Sequence, residues 1–416
     1  MAEAPGAHAT PGAIGALVAE AFLSRLAFGI MAFALPLYGR ALGMGLAEIA
    51  VLITLNTVVS MLLKPQAGRL ADRLGHKTGA LLAILVRSLL TLLFTVAAVP
   101  WQLFALQAAR GGAKSLRDPS IEALIALHGG KRRIASAFAW YKTATSAAGA
   151  LGKALAGLLL TLTAAQFGWV FLVAFALSVL PVVAVAIMVP KPGPAPERLT
   201  TTAAPVASGP AAPGLVRRLW PAMGFGLMVS GTAQMLRGLF PILAVEYAGL
   251  SAAEAGAILL GATLVTIAAG PFFGWIADRG HRKLVLMTRS VANLTSSVIY
   301  LAAPGFAGFA VAKAVDEAGK AAFNPAWGSL MAELSSHDPA RRGGTMGWLG
   351  ASEDAGAVAG PILAGLVWSA WGVGALLGVR VALALATELY ALFVLPRAFC
   401  QRGPTPPARR GFSPVS

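Results

Sequence analysis

Long apolar stretches, each about the length needed to cross a bilayer, recur twelve times along this chain. They fall at 12–36, 46–63, 78–99, 101–128, 135–163, 167–189, 219–246, 252–276, 284–303, 305–334, 344–369 and 371–396. A hydrocarbon core of about 30 Å takes roughly 20 apolar residues in helical form. The backbone finds no water there, so each stretch must close its own hydrogen bonds as a helix. Only 12% of the 416 residues are charged, 57% are hydrophobic and mean hydropathy is +0.73. A soluble globular chain carries roughly a quarter of its residues as charges, and no single core could hide this much apolar surface. The expected fold is an all-α membrane protein of twelve transmembrane helices.

A net charge of +16 would point a soluble protein toward nucleic acid, but here the positions of the charges decide. The basic clusters sit between apolar stretches and on alternate connections: Arg73 and Lys77, Lys131 to Arg133, Lys191 to Arg218, Arg279 to Lys283, Arg341 with Arg342, and the tail. The intervening connections offer only Arg40. That asymmetry sets orientation and places both termini in the cytoplasm, which an even number of spans satisfies. Residues 190–218, rich in Pro, Ala and Thr, read as a cytoplasmic linker, and 1–11 and 397–416 as cytoplasmic tails. The first eleven residues lack the basic and apolar regions of a cleaved signal peptide. With Cys400 as the only cysteine, an intrachain disulfide is impossible.

A shift of 206 residues superposes LADRLGHK at 70–77 on IADRGHRK at 276–283. It also pairs Gly43 with Gly249, Glu48 with Glu254, Pro65 with Pro271, Gly68 with Gly274, Lys114 with Lys320, and Pro119 with Pro325. Residues 12–189 and 219–396 therefore read as two homologous six-helix bundles, an arrangement that places a solute site between the repeats.

Gly68, Asp72, Arg73, Gly75 and Lys77, between the second and third stretches, resemble the cytoplasmic signature of the major facilitator superfamily. Gly274, Asp278, Arg279 and Lys283 form a second, degenerate copy, in which glycine comes one place early and His281 takes its position. The resemblance covers roughly 12–396 and implies two bundles that rock about a central site. In that family these loops act as a cytoplasmic latch between halves; the other reading is that they only satisfy orientation. Gly356, Gly360, Pro361 and Gly365 in the eleventh stretch resemble a glycine-proline motif of antiporters. The fifth stretch has Gly152-Lys153 where that motif is expected, and small residues at this spacing also make a close-packing helix face.

Charges at mid-bilayer cost about 2.5–3.5 kcal/mol each on insertion scales, so they mark function by default. The fourth stretch carries Arg110, Lys114, Arg117, Asp118 and Glu122, and the tenth carries Lys313, Asp316, Glu317, Lys320 and Asn324. Helical geometry confines each set to one face, spanning about 140° and about 100°. The resemblance places both helices on the central cavity. Further intramembrane charges are Arg25, Lys142, Lys153, Arg237, Glu353, Asp354, Arg380 and Glu388. Two readings stand side by side: the charges meet a polar, anionic or zwitterionic cargo, or they saturate one another in salt bridges that hold the helices together.

The expected activity is secondary active transport of a small polar or charged organic solute by alternating access. Proton coupling would run through Asp118, Glu122, Asp316, Glu317, Glu353 or Asp354, with export favoured over import. A receptor or assembly factor that kept the fold is the rival. No nucleotide-binding loop, zinc cluster or nucleophile elbow appears, so neither an enzyme nor a cofactor is expected. The expected setting is a bacterial inner membrane, and the expected partners are the solute, protons and lipid. Nucleic acid is not expected, and the chain should act as a monomer.

Overall fold

The computed structural model describes residues 11–128, 130–188, 213–276, 279, 282–336 and 342–394. Most of the 190–218 linker, the tails, and Asp278, Gly280, His281 and Cys400 lie outside them. Twelve α-helices and one π-helical turn make up the secondary structure of the described residues. They are α1 (Pro11–Ala41), α2 (Leu46–Leu74), α3 (His76–Leu93), α4 (Pro100–His128), α5 (Gly130–Leu162), α6 (Phe167–Met188), α7 (Pro213–Gln234), α8 (Phe240–Ile242), α9 (Ala252–Ile276), α10 (Arg282–Ala302), α11 (Phe306–Ser336) and α12 (Arg342–Phe393). Seven segments among the described residues are long and apolar enough to cross a membrane by length and composition.

Two stretches differ from the expected pattern. The seventh, expected as one helix over 219–246, is α7, a turn, the short α8 and a π-helical turn at Leu243–Tyr247. The eleventh and twelfth run together as α12, whose helical path breaks at Gly372 (φ 82°). A positive φ costs glycine nothing, so the chain turns there without a separate loop.

The repeat reappears in backbone geometry. Gly43 and Gly249 both adopt positive φ, at 82° and 66°. Beyond each glycine a glutamate caps the next helix: Glu48 accepts from the Gly45 N–H at 2.8 Å, and Glu254 from the Ser251 N–H at 2.8 Å.

Helix α1 packs on α5 and α6, α4 on α2 and α3, α7 on α12, and α11 on α9 and α10. The two repeats meet where α5 packs on α9 and α2 on α12. A Cβ on Gly157 would collide with the Ala252 carbonyl, and one on Gly365 would lie 2.8 Å from the Leu46 carbonyl, so both crossings need glycine.

These crossings lie at one end of the molecule. There a single apolar core draws on both repeats, with Met44, Leu46 and Ile49 beside Leu239, Phe240, Ile258, Ala364 and Trp368. Arg40 and Glu246, equivalent positions in the repeat, pair across that end through Nε–Oε1 at 2.7 Å and Nη2–Oε2 at 3.0 Å. Toward the other end the core divides. One cluster, around Leu17, Ile84 and Ile121, belongs to the first repeat, and another, around Phe225, Phe323 and Trp327, to the second. Among the described residues the repeats thus share one core at the Arg40 end and have separate cores toward the end bearing Gly68.

Candidate functional site

Helix α4 brings its charges to a partly enclosed cavity of about 170 Å³ lined by α1 to α5. Ser24, Arg25, Phe28, Asn56, Arg87, Arg110, Lys114, Arg117, Asp118, Glu122 and Thr145 line it. Arg117 is the anchored cation. Its Nε and Nη2 donate to Glu20 Oε1 at 3.0 and 2.6 Å, and its Nη1 to Asp118 at 3.2 Å. The Ser24 hydroxyl completes the cluster by donating to the same Glu20 oxygen at 2.7 Å. Glu20 is wholly buried, a position a carboxylate holds only with a cation and hydrogen bonds beside it. Arg87 donates to the Ser24 carbonyl at 3.4 Å. Arg110 is 4% exposed and stands over the Phe94 ring, 5.6 Å from its centroid.

Helix α11 builds a different kind of cluster. Asp316 is buried and takes Lys313 on one oxygen at 2.8 Å, and on the other Arg380 at 2.8 Å and Arg289 at 3.3 Å. Arg289 also donates to the Asp316 backbone carbonyl. Glu317 takes Lys313 at 3.2 Å, Lys320 at 3.1 Å and the Thr266 hydroxyl at 3.1 Å. Arg380, with no exposed surface, spends its remaining donors on Ser296, Ser297 and Asn293, each at 3.0 Å, and on the Thr232 carbonyl at 3.3 Å. Asp316 and Glu317 are thus enclosed by four basic side chains, Lys313, Arg289, Arg380 and Lys320. Asn324 is exposed.

The remaining expected residues divide between the site and its surroundings. Glu353 accepts a hydrogen bond from the Trp327 indole at 3.1 Å, and no cation lies within ion-pair distance of it among the described residues. Asp354 is exposed, Lys153 is half-buried on α5, and Lys142 lies on the same helix. Gly356 and Gly360 face α7. A Cβ on either would run into the α7 backbone at Leu227 or Gly231, so these glycines, followed by Pro361, hold α12 against α7.

Of the loop residues, Gly68 has open space around it, and Asp72 is exposed, with His76 Nε2 at 3.9 Å. Arg73 and Gly75 are exposed, and Lys77 donates to the Ala186 carbonyl on α6 at 2.9 Å. Gly274 and Lys283 lie on α9 and α10, and Arg279 stands 3.7 Å from the centroid of the Trp275 ring. Among the described residues, then, the first loop is tied to its own repeat.

Three charges of these clusters stand in apolar stretches without having been singled out in the sequence: Glu20, Arg87 and Arg289. The rule that drew attention to α4 and α11 applies to each of them.

Known proteins place this geometry. The Major Facilitator Superfamily profile matches residues 18–243 and 222–415, which together span nearly the whole chain. The chain belongs to the major facilitator superfamily. It is a multi-pass membrane protein with the fold of that transporter family. Among solved structures, the nucleoside transporter NupG superposes with a TM-score of 0.73 at 15% identity, over 93% of this chain and 98% of that one. A bacterial homolog of the human lysosomal transporter Spinster, captured inward-facing and occupied, gives 0.69 at 15% over 94% and 98%. The human organic anion transporter MFSD10 gives 0.61 at 14% over 91% and 99%. At these identities the likeness is one of fold. No curated protein matches this sequence.

Proposed function

We propose that this superfamily member is a secondary active transporter that moves a small polar or charged organic solute by alternating access. In this reading residues 12–189 and 219–396 are two six-helix bundles of twelve spans in all. Residues 190–218 join them, and both termini lie in the cytoplasm of a bacterial cell. The observation that carries the proposal is a charged, partly enclosed cavity in a molecule whose repeats, among the described residues, share one core at the Arg40 end and have separate cores toward the Gly68 end. With the basic loops in the cytoplasm, that is a state open to the cell interior. A receptor or assembly factor has no need of such a cavity, whose charges are costly to hold within a membrane.

Proton coupling is assigned to Glu353. It is half-buried against Trp327 with no cation paired to it among the described residues, so protonation there breaks none of the ion pairs described, as it would at Asp316 or Glu317. Export is the favoured direction. The loop bearing Asp72 is the cytoplasmic latch, disengaged in this state, and the chain works as a monomer.

Purified protein in vesicles, screened with labelled metabolites under an imposed proton gradient, tests the assignment. Gradient-dependent flux of a polar solute, reduced in Glu353→Gln, is the expected result. Flux of wild-type size in Glu353→Gln removes the coupling role, and absence of flux for every solute class removes the transporter reading. A reporter inserted near Ala204 should lie inside the cell; a periplasmic signal overturns the orientation.

A further inference from the structure

We infer that the cavity of the first repeat is an anion site, which holds the acidic group of a compact organic acid between Arg110 and Lys114. The inference rests on the transporter reading above and narrows its cargo to carboxylates, phosphonates and related anions.

The argument starts from the internal repeat. The 206-residue offset that matches Lys114 with Lys320 also matches Arg110 with Asp316. In the second repeat this position supplies the carboxylate that gathers Lys313, Arg289 and Arg380. In the first repeat the same position carries a guanidinium. The first repeat has therefore lost its internal counter-anion there and gained a cation in its place.

Among the described residues no carboxylate pairs with Arg110. Its hydrogen bond is a long one of 3.4 Å to the neutral amide of Gln107, and its buried Nε has no hydrogen-bond partner. The nearby acids are drawn elsewhere: Glu20 and Asp118 are ion-paired with Arg117. Lys114, one helical turn along, is half-buried, and no ion pair engages it among the described residues. Arg87 and Arg25 line the same cavity. Counting Glu20 behind the wall, the described residues at the cavity include five cations (Arg25, Arg87, Arg110, Lys114 and Arg117) and three carboxylates (Glu20, Asp118 and Glu122), an excess of two positive charges among them.

A guanidinium this deeply buried is strongly destabilising without a counter-charge, and the donor it leaves unused is the kind of group a ligand satisfies. Guanidinium and ammonium groups a turn apart suit a carboxylate or phosphonate, since one presents a planar fork and the other a mobile point charge. Asn56, Ser24 and Thr145 add neutral polar groups, and Phe28 an apolar face, for the rest of the molecule. At about 170 Å³ the cavity is smaller than the roughly 300–1,000 Å³ of pockets for drug-sized ligands. The ligand is therefore compact.

Thermal-shift titration of the purified full-length protein in detergent, at matched ionic strength, tests this. The probes are glutarate, benzoate and methylphosphonate, set against glutaramide, benzamide, benzylamine and 1,5-diaminopentane, with chloride and inorganic phosphate as separate arms. At least one organic acid should raise the melting temperature saturably, while its amide and amine counterparts do not. Arg110→Gln and Lys114→Gln should each weaken that apparent Kd by about tenfold or more, and Arg69→Gln, an exposed cation away from the cavity, should leave it unchanged. If Arg110→Gln fails to fold, the partly exposed Lys114→Gln carries the test.

The inference is overturned if no acid shifts the protein or if an amide or amine binds as well as its acid. Stabilisation by inorganic ions alone, or wild-type affinity in Lys114→Gln, overturns it equally. Binding does not require transport, so the two readings fail separately. Acid binding without flux in vesicles removes the transporter and leaves the site, whereas flux of neutral or cationic solutes only removes the site and leaves the transporter.

Discussion

Replacing Asp316 with asparagine should destabilise the protein far more than it alters any solute contact. The carboxylate is buried and holds three basic groups at 2.8, 2.8 and 3.3 Å. Asparagine keeps the shape and one acceptor oxygen, so what disappears is the charge. Removing one partner of a buried ion pair costs about 3–5 kcal/mol, because the charge left behind is uncompensated. Here Lys313, Arg289 and Arg380 are all left with less, and the upper part of that range applies. Against a total folding free energy of roughly 5–15 kcal/mol for a typical domain, the loss is about a quarter or more. The assay is the fraction of monodisperse protein left after stepwise heating in detergent. Asp316→Asn should aggregate at temperatures where wild type survives. Lys320→Gln, which removes a half-exposed partner of Glu317, should cost no more than about 1 kcal/mol. An Asp316→Asn protein as heat-stable as wild type would refute the view that this carboxylate organises the second repeat.

The Arg40–Glu246 pair is about one-third exposed at each side chain, so Arg40→Glu should shift the balance of conformations by at most about 1 kcal/mol, roughly fivefold, toward opening at that end. In a Cys400→Ser background, labelling of a single cysteine placed beside Glu246 reads the shift, and adding Glu246→Arg should reverse it; a swap that restores nothing removes the gate role. Gly360→Leu forces a side chain into the Gly231 carbonyl and should lower folded yield through a loss of about 1–3 kcal/mol; normal yield would show that α7 and α12 can separate there without cost. Asp72→Asn should slow transport while leaving membrane insertion intact, and unchanged rates would leave the latch without support.

Much of the fold was legible because a bilayer imposes a coarse rule, that apolar stretches of sufficient length become helices. The rule says nothing about interruptions inside a stretch. The turn after Gln234 carries only Arg237 and the π-helical turn at Leu243–Tyr247 only Glu246, isolated charges that do not end an apolar stretch, and α12 passes Gly372 with no charged residue between Asp354 and Arg380. The charged faces of α4 and α11 stood out because several charges share one helix. Arg87 and Arg289 are single charges in their stretches, and Glu20 shares its own only with Arg25, so none of them makes a charged face that stands out. Pairing was the least legible property. Arg117 meets Glu20 across 97 residues and Arg380 meets Asp316 across 64, and these contacts separate a saturated second repeat from a cation-rich first one. The sequence pattern alone presents Asp316 and Arg110 as similar cavity charges.

The most direct test of alternating-access transport is counterflow in reconstituted vesicles without an ion gradient. Vesicles preloaded with an unlabelled organic acid, chosen as the best stabiliser of the purified protein, are diluted into a trace of the labelled compound. A carrier that exchanges one bound solute per conformational cycle should accumulate label above equilibrium before it relaxes, and the overshoot should vanish in Lys114→Gln. Simple equilibration without overshoot in wild-type vesicles, at the same rate as protein-free vesicles, would contradict the account.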